Sequence, residues 1–176
     1  MVSVEIDEEV YKRQIFHQPC GNVTLHHDDL SSFVATNDFE RVRSIFWLDN
    51  TGLEYSHFET FVTLLQKVGS GSMIKITLDA STGRFSGKAE DVKKKISAFR
   101  EKYALVLPEA DATPPLDNYG FASLLQKMVR VAAERALPAD TELMFQPVSS
   151  FYYKDGQSML TVTGIVCFRQ EAERVR

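Results

Sequence analysis

The feature that most constrains this chain is a rhythm. Short β-branched and apolar runs, each ending on acids or polar residues, alternate with segments of helical period, and two long strand-like runs close the sequence around Lys154-Asp155-Gly156. Asp-Gly between two such runs is a strong signal for a tight hairpin. Strand-helix alternation ahead of it demands crossover connections, and these build parallel sheets. The pattern predicts an α/β chain with a doubly wound, mostly parallel sheet and a C-terminal antiparallel hairpin.

Met1 to Ile6 reads as a strand, and Asp7, Glu8 and Glu9 then open a helix on Val10, Tyr11, Ile15 and Phe16. Acids in the first turn suit the positive end of the helix dipole. Pro19 and Gly21 stop that helix, and Asn22 to His26 resumes as a strand running into Asp28 and Asp29. A polar stretch around Thr36 to Glu40 follows. Arg43 to Leu48 is a near-continuous apolar run ending at Asp49, Asn50, Thr51 and Gly52, which predicts a strand buried on both faces, with Phe46 and Trp47 in the core. Ser56 and Glu59 have capping-box spacing, and Phe58, Phe61, Val62, Leu65 and Val68 carry helical period up to Gly69. Met73 to Leu78 is the next strand, closed by Asp79.

The stretch from Ser81 to Pro115 differs in character. It holds Gly83 and Gly87, a helix from about Ala89 to Tyr103 on Val92, Ile96 and Phe99, and a loop with Pro108, Pro114 and Pro115, and it reads as an insertion. Asp117 is an N-cap for a long helix on Phe121, Leu124, Leu125, Met128 and Ala132, ended by Pro138. Strands over Glu142 to Tyr153 and Gln157 to Phe168 flank the Asp-Gly turn, and the charged tail is expected to fray.

At 176 residues and 44% hydrophobic content, a single domain over residues 1–176 is expected. A net charge of -4 and a pI near 5.6 do not support an electrostatically driven nucleic-acid or membrane-surface binder, although a local basic patch stays open. Lys93, Lys94 and Lys95 read most simply as a solvated helix face that can also border an anionic substrate. Cys20 and Cys167 stand far apart with no Cys-x-x-Cys, which reads as two free thiols in a reducing compartment. With no signal-like N-terminus and no 18-residue apolar run, a cytoplasmic protein without a membrane span is expected.

Four short motifs, in this order, resemble the class I S-adenosylmethionine (SAM) methyltransferase family from its second strand to its seventh. Val2-Ser3-Val4-Glu5-Ile6-Asp7 resembles the second strand, which implies Glu5 on the cofactor ribose, where a carboxylate accepts from two vicinal hydroxyls. Val23-Thr24-Leu25-His26-His27-Asp28-Asp29 is similar to the third strand, implying Asp28, with Asp29 next, on the adenine amino group. Phe46-Trp47-Leu48-Asp49-Asn50 resembles the fourth, implying that Asp49 and Asn50 face the methyl group and its acceptor; Asp49 then either orients a nucleophile or takes its proton. Leu65 to Ile74, with Gly69 and Gly71, looks like the helix-to-strand turn ahead of the fifth strand.

One family feature is missing. Nothing before Val2 supplies the Gly-x-Gly-x-Gly loop that follows the family's first strand, and that strand lies between the second and fourth. Three explanations stay open: a fragment or late start of a longer reading frame, a split protein completed by another chain, or a reduced fold whose second and fourth strands pair directly. The expectation is a SAM-dependent methyltransferase, or the larger part of one, acting on an unidentified acceptor. The alternative is an inactive methyltransferase-like interaction module or split-protein subunit, with a complementing chain or a second copy as partner. No metal is expected, because His26 and His27 point to opposite faces of a strand. Asp49-Asn50-Thr51-Gly52 lacks the paired prolines of the amino-group DNA methylases, and no Gly-x-Ser-x-Gly elbow supports a hydrolase.

Overall fold

The structure, a computed structural model, describes residues 1–18, 21, 23–109 and 113–172. Pro19, Cys20 and Asn22, read above as a helix stop, a free thiol and a strand start, lie outside the described residues, as does the end of the charged tail, 173–176. The chain divides into two compact units, Met1–Asp38 and Phe39–Arg176.

The smaller unit runs β1 (Val2–Glu5), α1 (Glu8–His17), β2 (Thr24–His27), α2 (Leu30–Thr36). β1 and β2 pair in parallel, with Glu5 opposite His27. Asp7 caps α1 by accepting the Val10 N–H at 2.9 Å, and Glu8 and Glu9 occupy the first turn. Helix α2 has no amphipathic period long enough to read from sequence. Its start depends on Asp29, which accepts the Ser32 N–H at 3.1 Å and the Ser31 hydroxyl. Those bonds, the Ser31 hydroxyl foremost and the Ser32 amide next, hold the Asp29 carboxyl below its ordinary range.

The larger unit runs β3 (Ile45–Asp49), α3 (Tyr55–Leu65), β4 (Met73–Asp79), a 3-10 turn over Thr82–Phe85, α4 (Ala89–Lys102), α5 (Asn118–Ala136), β5 (Leu143–Asp155) and β6 (Gln157–Phe168), with a last 3-10 turn over Arg169–Glu171. Its sheet has the order β3-β4-β6-β5. β3 and β4 are parallel, while β6 is antiparallel to both β4 and β5. The C-terminal hairpin therefore forms as its Asp-Gly signal predicts, with Gly156 at φ +73°.

Helices α3 and α5 cover one sheet face. Ile74, Ile76 and Leu78 of β4 and Leu160, Val162 and Val166 of β6 are buried there beneath Phe61, Leu64 and Leu65 of α3 and Leu125, Met128 and Ala132 of α5. Phe61 meets Phe145 of β5 edge to face at 5.4 Å, and Gly164 leaves the space that the Phe145 ring fills. α4 buries only Phe99 of its own residues, which joins Phe85, Tyr103 and Phe121 in an aromatic cluster. Among the described residues no helix is long and apolar enough to cross a membrane.

Two local expectations need correction. β3 is not buried on both faces: it is the terminal strand of its sheet, with Ile45 80% and Trp47 59% exposed and only Leu48 fully inside. An apolar run marks a strand able to be covered on both sides, and here no strand pairs with its outer edge among the described residues. Trp47 is accordingly not a core residue, and it lies under the Lys75 ammonium at 3.7 Å while its indole N–H donates to Thr77 Oγ1.

The second correction concerns α3, which starts two residues earlier than the Ser56/Glu59 pair suggests. Its N-cap is Glu54, and His57 Nδ1 reaches back to accept the Glu54 N–H at 3.2 Å. The Glu54 carboxylate pairs with Lys102. Burial of His57 pushes its pKa below the ordinary 6.5, with Glu54 opposing the shift. A histidine whose pKa is lower folded than unfolded is favoured neutral, so its contribution is complete above about pH 6.5 and falls away as pH drops from there toward the folded value. Thermal melts at about pH 7.5 and 5.5 are expected to show a larger acid-side loss for the wild type than for His57→Gln, which keeps an acceptor without titrating. Equal losses would remove His57 from this role.

Candidate functional site

In open α/β sheets ligands collect at the carboxyl ends of the strands. At that edge of the smaller unit, the parallel register sets Glu5 and Asp28 side by side: the Asp28 N–H donates to the Glu5 carbonyl at 3.1 Å. The half-buried Glu5 carboxylate accepts the Asp7 N–H through Oε1 at 2.8 Å, which orients it. Asp28 is exposed and accepts the Asp29 N–H at 2.8 Å. Asp29, the second residue expected at adenine, is the cap of α2. Of the two, Asp28 is the acid free of helix capping.

His26 and His27 lie on opposite faces, as strand alternation requires. His26 packs on Phe33 at 5.1 Å, and His27 stacks on Tyr11 at 5.0 Å while its Nε2 bonds the Ile6 carbonyl. Among the described residues no group of three or more His, Cys, Asp or Glu side chains is placed to hold a metal ion.

In the larger unit the carboxyl edge is built by a chain of hydrogen bonds. Asp49 is exposed at the end of β3. The neighbouring Asn50 amide donates to the Leu48 and Thr77 carbonyls at 3.3 and 3.1 Å, which ties the loop after β3 to β4. Asp79 N–H then donates to the Gly52 carbonyl at 3.2 Å. The Asp79 carboxylate pairs with Arg84 at 2.5 Å and accepts the Ser81 N–H at 2.8 Å, folding the chain into its 3-10 turn. Asn118 Oδ1 accepts both the Thr82 N–H at 2.9 Å and the Thr82 hydroxyl at 2.7 Å. Its amide group donates to Ser158 Oγ at 3.0 Å, and Ser158 Oγ meets the Tyr152 hydroxyl at 3.2 Å.

Sequence reasoning points to Asp49 and Asn50 and misses Asp79, Arg84, Asn118, Ser158 and Tyr152. A signal for Asp79 exists, since it closes β4 as Asp49 closes β3. Asn118 is hidden because it sits inside a helix start that Asp117 already explains, its Oδ1 accepting the Gly120 N–H at 2.7 Å. Arg84, Ser158 and Tyr152 come from three elements that only the fold brings to one edge.

The acceptor chemistry suits the nucleoside part of a SAM-like cofactor. Glu5 and Asp28 stand at the ends of adjacent parallel strands, and carboxylates can accept from hydroxyls or from an amine. For the cofactor's amino-acid end the described glycines offer no loop of the expected kind. The positive-φ glycines are Gly71, Gly87 and Gly156, and Gly71 serves the turn into β4, its N–H donating to the Val166 carbonyl at 2.7 Å.

Parallel strands with crossover helices, a terminal antiparallel hairpin and acids at the strand ends define a Rossmann-like α/β protein of the methyltransferase type. The full sequence, residues 1–176, matches the model of the methyltransferase family described as "Putative O-methyltransferase". The chain belongs to that family. In fold it is similar to Trm1 from Pyrococcus horikoshii, solved with S-adenosyl-L-methionine, with a TM-score of 0.58 and 17% identity over 99% of this chain and 46% of that one. It is also similar to the plantazolicin methyltransferase BamL, solved with a triazolic desmethylPZN analog and SAH, with a TM-score of 0.51 and 9% identity over 93% of this chain and 66% of that one. The chain thus spans about half of the first and two-thirds of the second. No curated protein matches its sequence.

Asn118 joins three elements of this carboxyl edge, so Asn118→Ala should lower unfolding stability by about 2 kcal/mol, the scale of stranding half-buried partners. Urea unfolding measures it. A loss under about 0.5 kcal/mol, the level of an ordinary surface change, would mean that the network does not hold the edge together.

Proposed function

We propose that the chain is a SAM-dependent methyltransferase, or the larger part of one, that transfers a methyl group to an oxygen nucleophile. The family match along its whole length carries this reading. When bound, the cofactor supplies a methyl group on a positively charged sulfur, which departs as a neutral thioether once the acceptor oxygen has bonded the methyl carbon. Glu5 would hold the ribose hydroxyls and Asp28 the adenine amino group. Asp49 would orient the acceptor hydroxyl and take its proton, which an exposed carboxylate can then pass to solvent. Asn50 would act by fixing the loop beside Asp49 through its two carbonyl bonds. The segment over residues 81–115, pinned by Asp79–Arg84 and Asn118–Thr82, would cap the acceptor side. A cytoplasmic address goes with this reading, and the free, buried Cys167 is compatible with it.

Calorimetric titration with SAM is expected to show binding tighter than millimolar, weakened about tenfold or more by Glu5→Ala, since charge-assisted bonds to the ribose are worth upward of a kilocalorie. Absence of binding to the folded chain would overturn the enzyme reading for the chain by itself.

One observation favours a second reading, in which another chain or a second copy completes the sheet. Among the described residues β3 ends its sheet, with Ile45 and Trp47 exposed, and an unpaired strand edge invites a further strand. Trp47 is the single tryptophan, so its emission reports this edge alone. A blue shift as the protein is concentrated, in step with a rise in sedimentation coefficient, is the expected sign of pairing between copies. A solvent-like maximum at every concentration would rule that pairing out.

A further inference from the structure

At the edge of the larger unit opposite Asp49 and Asp79, an open pocket of about 350 Å3 lies between the last turns of α5 and the first residues of β5. Small-molecule sites commonly enclose about 300 to 1,000 Å3. Ala133, Leu137 and Phe145 line it with apolar surface, and Arg130, Glu134 and Arg169 line it with charge. Phe145 pairs with Val166, whose N–H donates to the Ser72 carbonyl at 2.9 Å just ahead of β4. β4 runs from Met73 to Asp79, so the two edges are about 20 Å apart. The pocket is therefore separate from the carboxyl edge.

Its apolar wall is fixed by the core. Ala133, Leu137 and Phe145 are all buried, and the Phe145 ring meets Phe61 at 5.4 Å. One of its cations is fixed as firmly. Arg169 donates through Nε to the Thr141 carbonyl at 2.8 Å and through Nη2 to the Leu137 and Pro138 carbonyls at 3.0 and 2.7 Å, which ties down the loop after α5. Those acceptors are neutral. Arg169 is half-buried, yet among the described residues no carboxylate pairs with it. A guanidinium held in this way has given up its rotamer freedom before a ligand arrives, which lowers the cost of binding. Arg130 and Glu134 stand one turn apart on α5, both exposed, and neither forms an ion pair among the described residues. An acid placed after the base is the weaker order for such a pair on a helix.

These charges select an occupant. Two arginines against one glutamate leave the pocket with one positive charge in excess. A monoanion brings it to neutrality, whereas a dianion such as a phosphate monoester overshoots and faces Glu134 as well. The fork of N–H donors on a guanidinium matches the two oxygens of a carboxylate. A bare anion would leave the apolar wall unused.

We propose that this pocket binds a small organic acid that carries one carboxylate on an apolar body. Arg130 and Arg169 take the carboxylate, and the body lies against Leu137 and Phe145. The site does not require the chain to bind SAM, so its test stands apart from that of the methyltransferase reading.

NMR titration of the full chain with phenylacetate, followed at resolved backbone amides, tests the idea. Binding at about 1 mM or tighter is expected, with the Phe145 and Arg169 amides shifting and those of Asp79 and Asn118 unmoved. Phenylacetamide, the same body without the charge, and acetate, the charge without the body, should each bind about tenfold more weakly. Phenyl phosphate should bind no more tightly than phenylacetate. Arg130→Gln should weaken phenylacetate about tenfold, and the fold should tolerate it because Arg130 is exposed and unpaired among the described residues. Glu134→Gln should tighten phenylacetate about threefold by removing the opposing charge. No binding at about 10 mM, shifts at the carboxyl edge instead of at Phe145 and Arg169, phenylacetamide or phenyl phosphate binding more tightly than phenylacetate, or unchanged affinity in Arg130→Gln would each overturn the proposal.

Discussion

Strand β4 is the member on which the larger unit hangs. It is hydrogen-bonded along both edges, parallel to β3 on one side and antiparallel to β6 on the other, and Ile74, Ile76 and Leu78 on its helix-covered face are fully buried. A strand so enclosed has no freedom of register, because a slip of one residue would turn that face to the other side. Once β4 is fixed, the ends of β3 and β6 follow, and the carboxyl edge becomes a line on which Asp49, Asp79 and Ser158 have set positions. The polar network there costs little to order, since its backbone anchors are already immobile.

The hairpin of β5 and β6 was legible because its signal is local. Two strand-like runs and an Asp-Gly dipeptide require nothing from the remainder of the chain, and the same is true of α5, whose cap at Asp117 and apolar period sit within one segment. β3 departs from its expected burial for the opposite reason. Ile45, Phe46, Trp47 and Leu48 have the composition of a strand covered on both sides, but coverage is a property of neighbours, and no residue of β3 encodes whether a strand lies beyond it. α2 leaves little trace in the sequence, since Ser31, Ser32 and Thr36 are indifferent helix formers and the decisive group is the Asp29 cap.

The candidate site divides along the same line. Glu5, Asp28, Asp49 and Asn50 stand out in sequence because each ends a strand, and the strand ends are easily found. Asp29 shows how such a rule is ambiguous: an acid after a strand is also an acid before a helix, and the Ser31 hydroxyl and the Ser32 N–H both bond one oxygen of its carboxylate. Asp79 is the converse, an acid at a strand end that folds its own loop through Arg84. Sequence cannot separate an acid that waits for a ligand from one already satisfied, because the difference lies in donors that arrive from elsewhere in the fold.

The segment between β4 and α5 carries this logic one step further. Most helices in the unit spend their sequence on the core: α5 buries Phe121, Leu124, Leu125, Met128 and Ala132, and α3 buries Phe58, Phe61, Leu64 and Leu65. α4 is held through Phe99 and through Tyr103 at its end, whose phenol, buried and near Glu54, has its pKa pushed up to about 12 and so stays a neutral donor to Leu53. Anchored at so few points, and with Val92 and Ile96 only half-buried, most of the remaining positions of α4 answer to no packing constraint. A helix released from the core in this way is where a surface can change charge without disturbing the fold, and here it has become basic in an acidic protein.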